Sequence, residues 1–437
     1  MEPLISVFLI LFIVVLLMVC GFYIGISLGL VGALSMLIFS NYPVAKMISN
    51  DAFNSLNSFT LTAMPSFLLM GELMIRSGLT KHLFDGITPW VENIPGRLFN
   101  SNVLSCAVFA AISGSSVVTT AVIGGASVPE LLKRKYNEGL SLGSICGAGT
   151  LGLMIPPSAT MIIYGTCTGE SIGQLFMGGV LPGIMISGLF MAYIILRCLW
   201  NPELAPKTKS YTWKEKLTGF GQIAPALGII SMVLGGIYLG FTTPTEAAVI
   251  GVLAAFVASY FTKTLSWKML KACFWGAMKV NCMMMFIVIG ASILSTALAY
   301  MDIPGKVMNF ITTAGFSKWT VVGILAFVYL CMGCLFDGIS MLLLTLPIVY
   351  PLIIKLGFNG VWFGIIIVVM VEAAQITPPV GMNLYVLQAI TGKSIDVIFK
   401  PSIPFFLLLI LASVILCFFP EIALWLPQKM IAGATMR

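Results

Sequence analysis

Apolar runs that are long enough, or nearly long enough, to cross a membrane recur along this chain and limit what it can fold into. Residues 4–39, 218–241 and 404–419 are examples, and only 9% of the sequence is charged, against about 25% in a soluble domain. Backbone groups in lipid must be satisfied internally, so only helices and closed barrels span a bilayer. Because the runs lack the two-residue alternation of barrel strands, they predict an all-α polytopic membrane protein and exclude a water-soluble fold.

Charged and polar breaks divide the chain into predicted crossings and two further apolar stretches. One arm of the first stretch, residues 98–112, would be only about 22 Å long as a helix, against a hydrocarbon core of about 30 Å. Each stretch also carries a small, polar tip near its middle. We therefore interpret both as re-entrant helical hairpins, with two short spans joined by a polar kink as the alternative. The predicted crossings are residues 4–20, 22–40, 59–75, 139–168, 178–196, 219–240, 246–261, 280–300, 362–390 and 402–419, and the hairpins are residues 98–132 and 319–354.

An internal repeat supports this layout. Five predicted crossings separate the two hairpins, and because five is odd the halves should be inverted relative to each other, as in many secondary transporters. Most Lys and Arg residues then fall on one face, which the positive-inside rule makes cytoplasmic. A constant offset aligns Pro129 with Pro351, Lys133 with Lys355, Asn137 with Asn359, and Pro156-Pro157 with Pro378-Pro379.

The layout divides the chain into scaffold segments and two repeats. The scaffold comprises N-terminal helices in residues 1–58 and connecting helices in residues 201–279. The first repeat, residues 59–200, holds a hairpin that faces the cytoplasm. The second repeat, residues 280–437, holds a hairpin that faces the periplasm.

A double proline should interrupt the helix that follows each hairpin. Proline removes a backbone donor and clashes with the preceding turn, so two in a row should unwind the helix at mid-membrane. The freed carbonyls, with nearby hydroxyl and amide oxygens, are the hard ligands that a dehydrated sodium ion needs. Proline kinks whose polar groups are satisfied by neighbouring helices are the alternative.

The predicted sites combine the hairpin tips with these broken helices. For cation binding, with sodium as the metal, the residues are Ser113, Gly114, Ser115, Ser116, Gly149, Thr150, Asp337, Gly338, Thr377, Gly381, Met382 and Asn383. For substrate binding they are Ser116, Pro157, Ser158 and Asn383.

Two of the acidic residues within apolar segments have a structural explanation. Glu72 lies at helical spacing from Arg76, which predicts a local ion pair at the membrane edge. Glu246 follows Thr243 in a cap-like sequence, which places its carboxylate in the first turn of the next helix.

The other two intramembrane acids are candidates for function, because a charge at bilayer depth is costly. We expect Asp337 to act with Thr377 and Asn383 at the second cation site, with capping of the second hairpin helix as the rival. Glu372 could be a scaffold hydrogen-bonding group or a proton or cation site, and its sequence context leaves both readings open.

The sequence contains few residues of the types and spacings that catalysis requires. Its one histidine, His82, lies in a short polar connection, and its ten Cys residues are scattered through apolar segments. No nucleophile with a base and no metal-binding spacing is present. We therefore predict no enzymatic activity, no cofactor other than sodium as a coupling ion, and no nucleic-acid partner. An ion channel would need a continuous stripe of polar residues across the membrane, whereas this chain has two separate polar clusters on the two hairpins.

Five short motifs follow one another from about residue 60 to the C-terminus. They are residues 71–80 (GELMIRSGLT), 112–116 (ISGSS), 155–158 (IPPS), 243–248 (TPTEAA) and 377–384 (TPPVGMNL). Together they resemble the large membrane (M) subunit of the tripartite ATP-independent periplasmic (TRAP) transporters. The resemblance implies a multi-pass protein of the bacterial inner membrane. It also implies a sodium symporter with an elevator mechanism, in which a transport domain that holds both hairpins slides against a scaffold.

The resemblance also implies partners and a class of substrate. The partners are a small membrane (Q) subunit, a periplasmic substrate-binding protein (P) and the organic acid that this protein delivers. Residues 117–120 lack the acidic position of dicarboxylate-type members, and residues 336–347 (FDGISMLLLTLP) are more similar to members that carry sialic acid or related sugar acids. Uptake of a sugar acid is therefore the expectation, with C4-dicarboxylate uptake as the alternative.

Overall fold

The computed structural model describes residues 2–39, 43–79, 83–206, 211–334 and 336–435, and every regular element within them is a helix. His82 and three residues of the predicted cytoplasmic face, Lys81, Lys207 and Lys209, lie outside the described residues. Short 3-10 turns occur at Phe59–Thr62 and Pro202–Leu204. The α-helices are α1 (Glu2–Val19), α2 (Ile24–Phe39), α3 (Val44–Leu56), α4 (Ala63–Arg76), α5 (Leu83–Val91), α6 (Leu98–Ser113), α7 (Ser116–Lys133), α8 (Glu138–Met154), α9 (Ala159–Thr168), α10 (Ile172–Trp200), α11 (Trp213–Tyr238), α12 (Pro244–Phe261), α13 (Trp267–Tyr300), α14 (Ile303–Thr313), α15 (Lys318–Gly333), α16 (Gly338–Lys355), α17 (Gly360–Ala374), α18 (Met382–Thr391), α19 (Ile395–Phe418) and α20 (Glu421–Thr435).

Seven spans in the described part of the chain are long and apolar enough to cross a membrane, with α8 and α9 counted as one. Five of them, from α8 to α13, lie between the two predicted hairpins, and the other two are α16 and α19. The segments Val44–Leu56 and Phe59–Arg76 form a bent pair with an angle of 52°. The polytopic helical fold is thereby confirmed, and the odd number of spans between the hairpins agrees with an inverted repeat.

Some helices were not predicted from the apolar runs. The short helices α3, α5 and α14 mix polar and apolar residues, so a count of apolar residues passes over them. The predicted crossing 280–300 is part of α13, which begins earlier because Ser266 caps it, accepting a hydrogen bond from the Met269 N–H at 3.2 Å. Its first turns carry lysines and so read as a polar connection in the sequence.

Both hairpins are present. Helices α6 and α7 pack against each other and are joined by only Gly114 and Ser115. Gly114 has a φ of 58°, a left-handed conformation that favours glycine and lets the chain reverse. Helices α15 and α16 also contact each other, and Asp337 caps α16. By length alone α16 could cross a membrane, and it is its pairing with α15 that makes it a hairpin arm.

Both double prolines interrupt a helix, as predicted. In the first half α8 ends at Met154 and α9 begins at Ala159, and in the second half α17 ends at Ala374 and α18 begins at Met382. Both Pro–Pro peptide bonds are cis.

The two halves repeat one another in detail. Asn137 begins α8 by accepting a hydrogen bond from the Leu140 N–H at 2.9 Å, and Asn359 begins α17 by accepting one from the Trp362 N–H at 3.0 Å. The short helices α9 and α18 both end at a glycine in the left-handed conformation. The halves are interlocked, because α9 of the first packs on α16 of the second while α18 of the second packs on α7 of the first.

The centre of the bundle is formed by α8 and α17. Every residue of α17 is buried, as is every residue of α8 from Leu140 to its end. Helices α10 and α19 each pack on both of them and expose apolar side chains on their other faces. Because α8 and α17 lead directly into the two breaks, the breaks lie inside the protein, where irregular backbone is tolerated at membrane depth.

Candidate functional site

The tip of the first hairpin lies directly against the break between α8 and α9. A Cβ atom added at Gly114 would lie 2.7 Å from the carbonyl oxygen of Pro157, and one added at Gly152 would lie 2.4 Å from the carbonyl oxygen of Ser115. Only glycine permits such close approach of backbone to backbone. The structure therefore brings carbonyl groups of the tip and of the broken helix together, as the sequence predicts.

Hydroxyl groups surround this tip. The Ser113 Oγ and the Thr119 Oγ1 are 2.8 Å apart, and the Thr119 hydroxyl donates to the carbonyl of Ser115 at 2.8 Å. Ser115 caps α7 by accepting the Val118 N–H at 3.5 Å. Thr119 was not among the predicted residues, although its position one helical turn beyond Ser115 is the signal that could have found it.

Asn383 of the second half joins the first site. Its Oδ1 accepts a hydrogen bond from the Ser116 hydroxyl at 2.8 Å, its Nδ2 donates to the Cys146 carbonyl at 3.2 Å, and both side chains are buried. A Cβ at Gly149 would lie 1.9 Å from the Thr120 Oγ1 and 3.4 Å from the Asn383 Nδ2. Ser116, Gly149 and Asn383 thus come together across the two halves.

Two polar groups near this cluster differ in how they are satisfied. The Thr150 hydroxyl bonds back to the Gly147 carbonyl of its own helix at 2.7 Å. The Thr120 Oγ1 is buried and has no hydrogen-bond partner among the described residues. An oxygen in that state, next to Gly149, is available to a cation.

The tip of the second hairpin lies against the end of α17. A Cβ at Gly338 would lie 2.3 Å from the Val371 Cγ1 and 3.1 Å from the Gln375 Nε2. Asp337 accepts the Ile339 N–H at 3.2 Å and the Ser340 N–H at 3.4 Å, and the Ser340 hydroxyl also donates to it. This is the capping arrangement that the sequence offers as the rival to a cation role.

The second break is tightly folded around Gly381. The Gly381 N–H donates to the Thr377 carbonyl at 2.9 Å, and the Thr377 hydroxyl donates to the Ala373 carbonyl at 2.8 Å. Met382 follows as the first residue of α18. The structure brings Thr377, Gly381 and Met382 together, whereas the hydrogen bonds of Asn383 among the described residues reach Ser116, Cys146 and Gln375 and not Asp337.

A cavity of about 130 Å³ lies beside the two tips. Ser113 and Ser115 of the first hairpin and Ile339 of the second line one side, while Glu72 of α4 and Gly276 of α13 line the other. The N-termini of α7 and α16 point their positive dipole ends toward this region, which favours an anion. The four predicted substrate residues do not line this cavity: Ser116, Ser158 and Asn383 are buried behind the tip, and the Pro157 carbonyl lies against Gly114.

A second cavity, of about 300 Å³, lies at the opposite end of α16. Tyr350 of α16, Thr166 of α9 and Ser292 of α13 are among its lining residues. The two cavities thus lie between α13 and the hairpin helices, one near the N-terminus of α16 and one toward its C-terminus.

The predicted structural roles of two acids are confirmed. Glu72 and Arg76 form an ion pair with 2.7 Å between Oε2 and Nε. Thr243 and Glu246 form a reciprocal cap, in which the Thr243 N–H donates to the Glu246 carboxylate at 2.8 Å. Glu372 is fully buried, and within the described ranges neither of its carboxylate oxygens has a partner with normal hydrogen-bond geometry, although the backbone of Met154 approaches it.

Comparison with known proteins agrees with this architecture. The sequence model of the family described as "Tripartite ATP-independent periplasmic transporter, DctM component" matches residues 11–422. The fold is similar to the crystal structure of the YdaH transporter of Alcanivorax borkumensis, with a TM-score of 0.63, 13% identity, and coverage of 88% of this chain and 90% of that one. That likeness bears on the fold alone.

Curated relatives are similar along most of their length. The C4-dicarboxylate TRAP transporter large permease protein DctM of Pseudomonas aeruginosa is 34% identical over 92% of this chain and 94% of its own. The ectoine TRAP transporter large permease protein TeaC of Halomonas elongata is 30% identical over 84% and 86%, respectively. The isethionate TRAP transporter permease protein DctMQ of Oleidesulfovibrio alaskensis is 29% identical over 94% of this chain and 64% of its own. The chain therefore belongs to the DctM family, the large permease subunits of the tripartite ATP-independent periplasmic transporters.

Proposed function

We propose that this chain is the translocating subunit of a sodium symporter in the bacterial inner membrane, and that it imports a small organic acid. The observation that carries the proposal is the meeting of each hairpin tip with a proline-broken helix. Two such places in inverted halves are what a transporter with alternating access requires. An open channel has no need of paired, closed tips.

The first break has the donor set that suits sodium. Backbone carbonyls of Ser115 and Pro157 lie beside the hydroxyl groups of Ser113 and Thr119, and the buried Thr120 oxygen lacks a partner among the described residues. At the second break we assign the same role, that of sodium ligands, to the backbone carbonyls around Gly381. We assign Asp337 to capping in the first instance, because its oxygens already accept hydrogen bonds from the first turn of α16.

The two cavities support an elevator mechanism. They separate α13 and α4, which we assign to the scaffold, from the hairpins and broken helices, which we assign to the transport domain. Sliding of the transport domain would close one cavity and enlarge the other, so that the tips face each side in turn. By the positive-inside argument the 130 Å³ cavity faces the cytoplasm and the 300 Å³ cavity faces the periplasm.

A compact acid suits the site better than a large one. The cavity of about 130 Å³ is well below the roughly 300–1,000 Å³ typical of sites for drug-sized ligands. Relatives of similar identity are named for C4-dicarboxylate, ectoine and isethionate. We therefore favour a C4-dicarboxylate or an acid of similar size, and keep sialic acid as the second candidate on the sequence of residues 336–347.

The partners follow from the family. We propose a periplasmic binding protein that delivers the acid and a small membrane subunit that completes the scaffold. One relative is named DctMQ, and this chain spans 64% of its length, which supports a second membrane component. Transport by this chain alone is expected to be weak.

The test is uptake by the complete complex in liposomes, with sodium replaced by potassium at constant membrane potential. We expect saturable uptake that depends on external sodium, on the binding protein and on the small subunit. Undiminished uptake in potassium, or robust transport without partners, would refute the proposal. Binding of C4-dicarboxylates and of sialic acid to the binding protein decides between the two substrate classes.

A further inference from the structure

The Glu72–Arg76 ion pair occupies an unexpected place. From the sequence it is an ordinary pair on one helix face, and an exposed pair of this kind contributes little to stability. In the structure the Glu72 carboxylate lines the cavity beside the hairpin tips. It is the only charged side chain among the described residues that line this cavity.

The scaffold is shaped to hold the Glu72 carboxylate there. A Cβ at Gly276 of α13 would lie 2.6–2.8 Å from the three atoms of the carboxylate group, so only glycine lets α13 pack against it. The Cys273 thiol, one turn earlier on α13, contacts the backbone carbonyl of Glu72 at 3.6 Å. The carboxylate is thus fixed between α4 and α13 and faces Ser113 and Ser115 across the cavity.

A bare carboxylate in this position would oppose the proposed function. An organic acid at the tips would meet a like charge across a narrow space with few competing water molecules, where Coulomb repulsion is stronger than in bulk water. Arg76 removes this repulsion, because its Nε lies 2.7 Å from the Glu72 Oε2. The side chain of Arg76 is 42% exposed.

We propose that Arg76 is a specificity-determining residue. It offsets the negative charge of the Glu72 carboxylate that lines the cavity, and so allows carboxylate substrates to enter. This inference rests on the proposed function, since it presumes an anionic substrate. Ser113 and Ser115, which belong to the proposed sodium site, line the same cavity. An effect of the pair on the substrate is therefore separated from an effect on the coupling ion by comparing substrates of different charge. In the described part of the chain Arg76 is bonded to Glu72, so we infer that it acts on the substrate through that carboxylate.

The chain supplies a matched control on α7. Arg134 and Glu130 have the same spacing and the same 2.7 Å distance between Nε and Oε1, but they do not line this cavity. Loss of either arginine removes an ion pair between side chains one helical turn apart, and loss of Arg134 also removes its interaction with Tyr211. Only Arg76→Gln should leave an uncompensated carboxylate beside the substrate.

The experiment measures uptake of a dicarboxylate and of its singly charged monoamide by the complete complex. In Arg76→Gln we expect kcat/KM for the dianion to fall at least about tenfold, and for the monoanion by less, because the repulsion scales with substrate charge. Arg134→Gln should stay within about twofold of the wild type for both. Adding Glu72→Gln to Arg76→Gln should restore uptake of the dianion, because the carboxylate that repels it is then absent.

Two results would overturn the inference. One is an equal loss for dianion and monoanion in Arg76→Gln, and the other is no recovery in the double variant although it assembles with its partners. The double variant also covers the case in which Arg76→Gln alone fails to fold. Sodium-independent uptake by the wild-type complex would refute the proposed coupling instead, and leaves the comparison between the two substrate charges intact.

Discussion

Glycines decide how closely the first hairpin approaches the broken helix. A Cβ atom added at Gly114 or at Gly152 would lie within 3 Å of a backbone oxygen of the facing segment, so a side chain at either position would prevent this packing. The sequence predicts the breaks themselves, because proline acts on its own backbone. It does not reveal Gly152 or Gly276, whose importance depends on neighbours that only the tertiary fold supplies.

Gly149→Ala is expected to destabilise the protein by about 1–3 kcal/mol, the usual cost of overpacking. The added Cβ would lie 1.9 Å from the Thr120 Oγ1, and Thr120→Ala in the same chain should recover part of the loss. Gly188→Ala on α10 is the control, because a Cβ there meets no atom of the described residues within 4 Å. Thermal unfolding in detergent measures all three, and equal melting temperatures for Gly149→Ala and Gly188→Ala would contradict the contact.

Two substitutions distinguish helix capping from cation binding as the role of Asp337. Since its oxygens accept hydrogen bonds from the first turn of α16, Asp337→Ala should lower stability by about 1 kcal/mol. Asp337→Asn keeps much of the cap, and we expect it to transport with unchanged sodium dependence. If the folded Asp337→Asn variant instead needs much more sodium for half-maximal uptake, the cation role predicted from the sequence is the correct one.

The elements that the sequence predicts best are those with signals inside one segment. Both hairpins and both breaks follow from local residue types. From the sequence, Asn383 is predicted both with Ser116 in the substrate set and with Asp337 at the second cation site, and local residue types could not decide between the two hairpins. The interlocking of the halves places it at the first site.

The two cavities can be distinguished by single cysteines in a cysteine-depleted background. Ser115→Cys lies in the 130 Å³ cavity, and native Cys167 lies in the 300 Å³ cavity and is exposed. We expect an impermeant thiol reagent to label Ser115→Cys from the cytoplasmic side and Cys167 from the periplasmic side. Labelling of both from one side only, with and without sodium and substrate, would rule out alternating access around these helices.

At the scale of the whole molecule, polar contacts join the two halves at both ends. Lys393 of the second half pairs with Glu138 of the first at 2.9 Å. The Tyr350 hydroxyl of the second half donates to Glu170 of the first at 2.7 Å, and a Cβ at Gly360 would lie 1.8 Å from that same carboxylate oxygen. Such contacts suit a transport domain that moves as one body.

These contacts should differ in strength. Lys393→Gln is expected to cost less than about 1 kcal/mol, because the pair is exposed to solvent. Tyr350→Phe should cost about 1–3 kcal/mol, because it leaves the half-buried Glu170 carboxylate without its donor. Tyr385→Phe, which removes a hydroxyl bonded to Pro379 at the surface, is the control. Melting temperatures that rank Lys393→Gln as the most harmful of the three would contradict this order.

The hydrogen bond between Ser116 and Asn383 joins residues that are 267 positions apart, and it sets an order for biosynthesis. The first hairpin leaves the ribosome long before α18, so the nascent protein holds an incomplete first site while most of the remaining chain is being made. The buried amide of Asn383, which completes that site, arrives only when little of the polypeptide remains to be made. Docking of the second half against the first is therefore a late step of assembly, after most helices have been inserted.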